Sequence, residues 1–297
     1  HKVTLIMSQR DEWLSEMEAA AQAAAKDTGI NLTTQDANSD TSKMIQYIES
    51  SVTAGEDAII INMVDPETAA QCVEAAGDVP VVFVNRFPGD PSVLNEKAVY
   101  VGSDEMTSGA FQGEFLAKFF KDQGKTDISY LMLNGILGQT STTNRTASVL
   151  KALEDNGIKA TAAAAPMEDD YDSATAMDMI SPLLKTTKYD CIISNNDAMA
   201  LGAVEAMQQQ GLDPKSVPIV GIDATADGRQ AIKDGTLAMT VFQNAEGQGR
   251  ASLQAAANLI DGKPIAEGTG YEVDDENEFI IWVPFEPVTV DNVADYD

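Results

Sequence analysis

The sequence predicts an α/β fold made of two similar units in tandem, each a mostly parallel sheet covered by helices on both faces. Short apolar runs of strand length alternate along the chain with amphipathic stretches of helix length. Apolar runs of this kind are typical of parallel strands that are buried on both faces. The chain has 297 residues, and at roughly 150 residues per domain this length suits two domains.

The first hundred residues form a β-α-β-α series. Trp13, Met17 and Ala24 share one face of the first amphipathic stretch. Asp65-Pro66 supplies a helix cap followed by proline at the first helical position. The predicted elements are strand 3–7, helix 12–27, strand 30–35, helix 40–53, strand 58–62, helix 66–77 and strand 79–85.

The series restarts after the run VYVGSD at 99–104, which predicts the second unit. Its elements are helix 105–121, strand 128–133, helix 142–156, strand 158–164, helix 173–185, strand 190–194, helix 197–210, strand 217–223 and helix 226–234. The tail supplies strand 237–242, helix 245–260 and strand-like segments 269–273 and 279–290.

Elements that follow a complete second unit indicate that the chain crosses back to the first unit. The halves have no Pro-rich or charged linker between them, so we expect several short crossovers that act together as a hinge. The expected crossovers lie near 101–107, 240–244 and 282–286. The expected lobes are 1–103 with 244–282, and 104–243 with 283–297.

Composition excludes several classes of protein. Lys+Arg 19 against Asp+Glu 47 gives a net charge of −28, which repels phosphate backbones and excludes nucleic acid as a partner. No run approaches the ~18 apolar residues needed to span a bilayer. A strand begins at Val3, so we expect any signal peptide to lie outside this chain. Cys72 and Cys191 are expected to be buried core thiols, and with His1 as the single histidine we expect no metal site.

Polar side chains that follow the strands are the first candidates for a ligand site, because ligands of open α/β sheets bind beyond the carboxyl ends of strands. They are amides, carboxylates, guanidinium groups and an aromatic ring, which suit a neutral ligand rich in hydroxyl groups. The candidates are Asp11, Trp13, Asn85, Arg86, Asn144, Arg145, Asn195, Asn196, Asp197, Asp223 and Gln243.

Structural roles stay open for several of these candidates. Asn196-Asp197 and Asp223 are equally suited to helix caps. Trp13 suits a core position, and the arginines suit the surface. Their joint placement after successive strands favours the ligand site.

Motifs for catalysis are missing from the sequence. Ser8-Gln9-Arg10-Asp11 stands after the first strand, where a nucleotide-binding fold has its Gly-rich loop. There is no G-x-S-x-G motif and no internal histidine, which excludes Ser-His and Cys-His nucleophiles. Asp11 with Asp223 is a formal carboxylate pair for glycoside hydrolysis, which keeps a glycosidase as a rival. We expect no enzyme activity, no catalytic residue and no cofactor.

Three segments resemble the bacterial periplasmic sugar-binding proteins of ABC transporters, first the galactose/glucose-binding branch and next the ribose-binding branch. They are NMVDPETAAQCVEAAGDVPVVFVNR (62–86), SNNDAMALGAVEAM (194–207) and VPIVGIDATADGRQAIKDGTLAMTVFQN (217–244). The resemblance covers nearly the whole chain. It implies a type I periplasmic binding protein with two Rossmann-like lobes, a three-strand hinge, and a monosaccharide held in the cleft between lobes that close on it.

The resemblance also assigns ligand contacts. Asp11 and Trp13 stand where relatives have a polar residue and a stacking phenylalanine, and Tyr171 stands where the galactose branch stacks a tryptophan. Asn85 and Arg86 match Asn-Lys of that branch, whereas Gln243 resembles the ribose branch. The implied set is Asp11, Trp13, Asn85, Arg86, Asn144, Arg145, Tyr171, Asn196, Asp223 and Gln243, with the two altered positions Gln139 and Ser141.

Two departures from the galactose branch bear on specificity. Gln139 and Ser141 replace its histidine and aspartate, so galactose itself is not implied. The segment 121–127 does not fit the acidic calcium loop of that branch, so we expect no structural calcium.

The resulting hypothesis is an extracytoplasmic receptor that captures a hexose or pentose and delivers it to ABC transporter membrane subunits. Inositol or a furanose sugar stays open as the ligand, and a chemoreceptor stays open as a further partner. The effector core of a lactose-repressor-type regulator is a rival, although the chain lacks a helix-turn-helix and a basic arm before its first strand. We expect a monomer, located in the periplasm or at the cell surface as a lipoprotein.

Overall fold

The computed structural model describes residues 1–296 of the chain. Contacts within the chain divide it into two compact units. Unit 1 contains His1–Ser103 and Asn244–Pro284, and unit 2 contains Asp104–Gln243 and the residues from Phe285 onward. The chain passes from one unit to the other after Ser103, Gln243 and Pro284.

Strands and helices alternate through both units. The strands are β1 (Lys2–Met7), β2 (Asn31–Asp36), β3 (Ala58–Ile61), β4 (Val81–Val84), β5 (Ala98–Gly102), β6 (Asp127–Asn134), β7 (Lys159–Ala162), β8 (Met167–Glu168), β9 (Cys191–Ser194), β10 (Ile219–Val220), β11 (Thr240–Phe242), β12 (Ile280–Trp282) and β13 (Glu286–Val288). The α-helices are α1 (Glu12–Thr28), α2 (Thr41–Ala54), α3 (Ala69–Ala76), α4 (Glu105–Lys121), α5 (Thr140–Asp155), α6 (Ser173–Ile180), α7 (Asp197–Gln209), α8 (Ala226–Asp234) and α9 (Ala245–Asp261).

Unit 1 is built on a parallel sheet with strand order β12-β5-β4-β3-β1-β2. Successive residues of β1 face opposite sides of the sheet, as the pleat requires. Leu5 and Met7 join a core cluster with α1 and α9, whereas Ile6 joins a second cluster with α2 and α3. Both faces of the sheet are therefore covered, which explains why β3 and β4 are apolar throughout.

Unit 2 has a parallel sheet with strand order β10-β9-β6-β7, and β8 also pairs with β6. A separate antiparallel pair joins β11 to β13. Leu131 and Leu133 of β6 pack in a cluster with α6, α7 and α8, and Met132 packs on the other face with α4 and α5. The unit thus repeats the two-faced arrangement of unit 1.

Acidic and amide side chains begin many of the helices. Asp11, Asp40, Asp104, Asp172 and Asn196 each accept a hydrogen bond from a backbone N–H in the first turn of their helix. Part of the acidic composition therefore serves helix initiation, where the N-terminal end of the helix dipole favours negative charge.

Several predicted elements differ from the observed ones. Segment 269–273 is not a strand, and Val273 makes only an isolated antiparallel bridge with Ile281. Helix 173–185 ends at Ile180, because Pro182 has no amide hydrogen with which to continue the helix. In the apolar run 217–223, only Ile219–Val220 forms a strand, while Val220 and Asp223 make isolated parallel bridges with Met239 and Phe242.

Helices α4 and α5 approach each other closely in unit 2. A β-carbon at Gly109 would lie 2.3 Å from the carbonyl oxygen of Arg145, and one at Gly113 would lie 2.6 Å from that of Val149. Glycines four residues apart therefore form the contact face of α4.

Both cysteines are buried and free, which confirms the expected core thiols. Burial raises the pKa of Cys72 to about 11 and that of Cys191 further, so neither is a reactive thiolate near neutral pH.

Within residues 1–296, no helix combines the length and the apolar character that a membrane crossing requires.

Candidate functional site

The carboxyl ends of β1, β3 and β4 in unit 1 are joined by a hydrogen-bond network centred on Asn62. Asn62 is fully buried, and its Oδ1 accepts from the hydroxyl of Ser8 at 2.6 Å. Its Nδ2 donates to Oδ1 of Asn85 at 3.2 Å. Asn62 therefore holds the side chain of the predicted ligand contact Asn85 in a fixed orientation.

The backbone of Asn85 has an unusual conformation that its neighbours maintain. Its φ is 67°, in the left-handed region that Asn tolerates better than most residues. The hydroxyl of Tyr100 donates to the carbonyl oxygen of Asn85 at 2.8 Å. The next residue, Arg86, donates from Nη1 to the carbonyl oxygens of Met63 and Val64 at 2.7 and 3.1 Å. The turn after β4 is thus held by both side-chain and backbone bonds.

Asp11 and Trp13 lie at the start of α1. Asp11 is exposed, and its Oδ1 accepts from the backbone N–H of Leu14 at 2.8 Å as a helix cap. Trp13 is only 7% exposed and belongs to the core cluster of unit 1. The structure therefore gives each residue a structural role, and their predicted ligand contacts remain predictions.

Arg145 is the centre of the polar cluster in unit 2. It projects from α5, is 4% exposed, and pairs with Glu105 of α4 through two hydrogen bonds, Nε to Oε2 at 2.6 Å and Nη2 to Oε1 at 3.1 Å. Burial lowers the pKa of the guanidinium, but the charge and hydrogen bonds of Glu105 outweigh it and raise the pKa overall. Arg145 is therefore a buried, permanently charged group.

Arg145 also reaches the ends of three other strands. Nη1 donates to the carbonyl oxygen of Asn195, after β9, at 2.8 Å. Nη2 donates to Oε1 of Gln243, after β11, at 3.4 Å, and Nη1 lies 3.9 Å from Oδ1 of Asp223, after β10. The structure thus brings together the predicted site residues Arg145, Asp223 and Gln243.

Asp223 occupies a strained turn at the end of β10. Its φ is 122°, in a region that non-glycine residues rarely adopt. Its backbone is held at both ends, since its N–H donates to the carbonyl oxygen of Val241 and its own carbonyl accepts from the N–H of Gln243. These two hydrogen bonds hold the strained residue, with its carboxylate beside Arg145.

Tyr171 lies in a tight loop after β8. Asp170 and Tyr171 have φ values of 52° and 63°, and the tyrosine hydroxyl lies 2.8 Å from the hydroxyl of Ser141 and 2.9 Å from that of Thr142. Burial raises the pKa of Tyr171. These contacts bring together two predicted site residues, Ser141 and Tyr171.

The ring of Tyr171 lies against the turn after β6. A β-carbon at Gly135 would lie 2.0 Å from that ring, so the turn must be glycine for the ring to lie there. Gln139 is buried at the N-cap position of α5, with its Oε1 3.5 Å from the hydroxyl of Ser141. Ser141 thus connects Gln139 to the hydroxyl of Tyr171.

The remaining candidates have mainly structural contacts. Asn196 caps α7 by accepting from the N–H of Met199 at 3.0 Å. Asp197 is fully buried and accepts from the hydroxyl of Thr240 at 2.6 Å and from the N–H of Thr225 at 3.1 Å. Asn144 is half-buried near the N-terminal end of α5.

Sequence reasoning missed three polar residues that the structure places beside the predicted ones. Asn62 and Glu105 follow β3 and β5, so the rule that selected strand ends could have found both. Asp169 is fully buried next to Tyr171, and neither of its carboxylate oxygens has a hydrogen-bond partner among the described residues.

Within residues 1–296, no cluster of three or more His, Cys, Asp or Glu side chains is arranged to hold a metal ion.

Comparison with known proteins identifies the family. A model of the periplasmic binding protein domain matches residues 3–264. The chain is 34% identical to the D-galactose/methyl-galactoside binding periplasmic protein of Haemophilus influenzae, over 96% of this chain and 88% of the relative. It is 29% identical to the D-ribose/D-allose-binding protein of Pseudomonas aeruginosa, over 97% of this chain and 88% of the relative.

A solved structure shows the same fold. The solute binding protein of an ABC transporter from Bacillus halodurans, with bound myo-inositol, superposes with a TM-score of 0.83 and 29% identity. The match covers 99% of this chain and 96% of the other. The predicted type I periplasmic binding protein fold and the predicted resemblance are both confirmed. The chain belongs to the periplasmic binding protein family.

Proposed function

We propose that the protein is an extracytoplasmic receptor that binds one neutral cyclic sugar or polyol and delivers it to an ABC transporter. The observation that carries this proposal is the set of fixed polar groups at the carboxyl ends of the strands in each unit. In unit 2 they are a guanidinium, a carboxylate, amides and a tyrosine, centred on Arg145. Paired donors and acceptors of this kind match the vicinal hydroxyl groups of a sugar ring.

The names of the relatives support the same ligand class. One is named for galactose and methyl-galactoside, one for ribose and allose, and one solved relative holds myo-inositol. These compounds share a neutral ring with several hydroxyl groups. We therefore propose a hexose or pentose as the ligand, with inositol as the alternative that the solved relative favours.

The family consists of solute-binding proteins, so the prediction that this chain is not an enzyme is confirmed at that level. The sequence agrees with this, since its single histidine is His1 and it has no internal histidine for a Ser-His or Cys-His nucleophile. The glycosidase rival predicts release of nitrophenol from nitrophenyl glycosides. A receptor binds these compounds at most stoichiometrically and releases nothing.

Finer features of the receptor are proposals of their own. We propose that it acts as a monomer, in the periplasm or tethered to the outer face of a membrane by a lipid on an upstream cysteine. A chemoreceptor as a second partner of the receptor is a further proposal. Sedimentation of the purified chain at micromolar concentration tests the monomer, and a stable dimer would contradict it.

A thermal-shift panel tests the ligand class. The panel contains D-galactose, D-glucose, D-ribose, D-allose and myo-inositol at millimolar concentration. At least one of these compounds should raise the melting temperature, because a ligand that binds only the folded state stabilises it. Calorimetry then gives the stoichiometry, expected as one. If amino acids or nucleosides raise the melting temperature and no sugar or polyol does so, the proposal is wrong.

Variants test the assignment of the site. Asp223→Ala should remove the shift that the best ligand produces, and Asp122→Ala, at an exposed position at the end of α4, should retain it. Asn85→Ala makes the same test in unit 1. The melting temperature without ligand separates loss of binding from loss of folding.

A further inference from the structure

We infer that Glu105 sets the charge specificity of the proposed sugar site, by neutralising and fixing Arg145 so that acidic sugars are rejected. This inference rests on the proposed function and adds to it a specificity-determining residue. Glu105 stands in the first turn of α4 and was not among the residues that the sequence indicated. Its two carboxylate oxygens accept hydrogen bonds from Arg145, so Glu105 is a positioning residue that acts through Arg145.

The backbone brings these two side chains together. Gly109 lies one turn after Glu105 on α4, and a β-carbon there would lie 2.3 Å from the carbonyl oxygen of Arg145. The absence of a side chain at Gly109 allows the two helices to approach so closely that a glutamate and an arginine meet in buried surroundings. Glu105 is 7% exposed and Arg145 is 4% exposed.

The N–H groups of Arg145 donate mainly to acceptors within the protein itself. Nε and Nη2 donate to the two oxygens of Glu105, Nη1 donates to the carbonyl of Asn195, and Nη2 also donates to Gln243. A bidentate pair of this kind is the usual way in which an arginine binds a carboxylate. Glu105 therefore occupies the edge of the guanidinium that the carboxylate of an acidic ligand would use.

The charges of the cluster point the same way. Arg145 carries one positive charge, and the carboxylates of Glu105 and Asp223 lie 2.6 and 3.9 Å from its nitrogens. The formal charge of the three groups is negative. In buried surroundings, where charges are poorly screened, a ligand carboxylate at this cluster would be repelled.

A neutral sugar meets no such barrier. Its hydroxyl groups can donate to Asp223 and accept from the amides around it, and no buried ion pair has to break. The Glu105–Arg145 pair thus distinguishes sugars by their charge. A uronic acid and its parent hexose are similar in shape, so shape alone does not distinguish them.

The variant Glu105→Gln tests this inference, because it keeps the size and one acceptor of the side chain and removes its charge. Calorimetry at pH 7 compares D-galactose with D-galacturonate, and D-glucose with D-glucuronate. Amino sugars, D-galactosamine and D-glucosamine, supply the opposite charge. Glu114→Gln, at an exposed position of the same helix, is the matched control.

The wild-type protein and Glu114→Gln should bind each uronate at least tenfold more weakly than its parent hexose. In Glu105→Gln, the affinity for uronate relative to amino sugar should rise by a factor of ten or more. An equal loss of affinity for all of these compounds would show a purely structural role and overturn the inference.

A second measurement needs no variant and guards against misfolding of Glu105→Gln. The methyl ester of D-galacturonate is neutral and has nearly the size of the acid, so the wild-type protein should bind the ester better than the acid. Equal binding of the two would overturn charge rejection. Failure of the whole neutral panel would instead overturn the proposed function, so the two failures are distinguishable.

Discussion

Gly109 of α4 lies against the backbone of Arg145 in α5, so that a β-carbon at Gly109 would be 2.3 Å from the Arg145 carbonyl oxygen and 2.2 Å from the hydroxyl oxygen of Ser148. This close contact holds the helix that carries Glu105 against the helix that carries Arg145. The distance between the helices and the geometry of the polar cluster are therefore coupled.

The substitution Gly109→Ala should separate the two helices and destabilise the protein. Alanine favours a helix over glycine by about 1 kcal/mol, but overpacking against backbone atoms costs about 1–3 kcal/mol and can exceed this gain. Chemical denaturation should show a net loss of unfolding free energy, together with weaker sugar binding. Glu114→Ala, at an exposed position of α4, should change stability by no more than about 0.5 kcal/mol. If Gly109→Ala were as stable as the wild type, the two helices could separate without loss of stability and the expectation would be wrong.

The substitution Tyr100→Phe should loosen the turn that contains Asn85. It removes the hydroxyl that donates to the Asn85 carbonyl at 2.8 Å and leaves a buried ring of the same shape. Loss of one buried hydrogen bond costs about 1–2 kcal/mol. We expect a lower melting temperature and a several-fold loss of sugar affinity. Tyr47→Phe, in α2, is the control, and equal effects of the two variants would contradict this role of Tyr100.

The substitution Tyr171→Phe should weaken ligand binding more than it weakens folding. The hydroxyl of Tyr171 connects the loop after β8 to Ser141 and Thr142 of α5, while the ring itself packs against Gly135. Phenylalanine keeps the packing and loses the connection. Calorimetry and thermal unfolding of the same preparations measure both effects, and a large loss of stability with unchanged affinity would contradict the expectation.

The fold could be predicted from the sequence because its signals are local. The boundaries of α4 (Glu105–Lys121) and α8 (Ala226–Asp234) were predicted to the residue, since Asp104 and Thr225 cap these helices within one turn of sequence. The prediction of a strand at 269–273 was wrong, because a strand-like pattern in the sequence does not by itself supply a neighbouring strand. Whether such a segment pairs depends on its tertiary surroundings.

The site was less predictable because its order depends on residues far apart in the chain. Arg145, Asp223 and Gln243 were recognised from their positions near strand ends, but the pairing of Arg145 with Glu105 spans forty positions and depends on Gly109. Asn62 and Asp169 likewise acquire their roles only when distant strands meet. The polarity of a residue is visible in sequence, whereas the identity of its partner is not.

Asp169 should make the stability of the protein depend on pH. Its side chain is fully buried, and burial, followed by the negative charge of Asp170, raises its pKa from near 3.8 to about 7. In the unfolded chain the carboxyl ionises near its ordinary value, so the stability that the neutral form provides is fully present below about pH 4. It is lost as the pH rises to the folded-state pKa near 7.

The substitution Asp169→Asn removes this dependence, because the amide is neutral at every pH. We expect the variant to gain melting temperature relative to the wild type at pH 8, and to gain less as the pH falls to 6 and then 5. Asp178→Asn, at an exposed position of α6, should show no such trend. Thermal unfolding of the three proteins in matched buffers measures the difference. A difference between Asp169→Asn and wild type that stays constant from pH 5 to pH 8 would mean that the buried carboxyl does not titrate in this range.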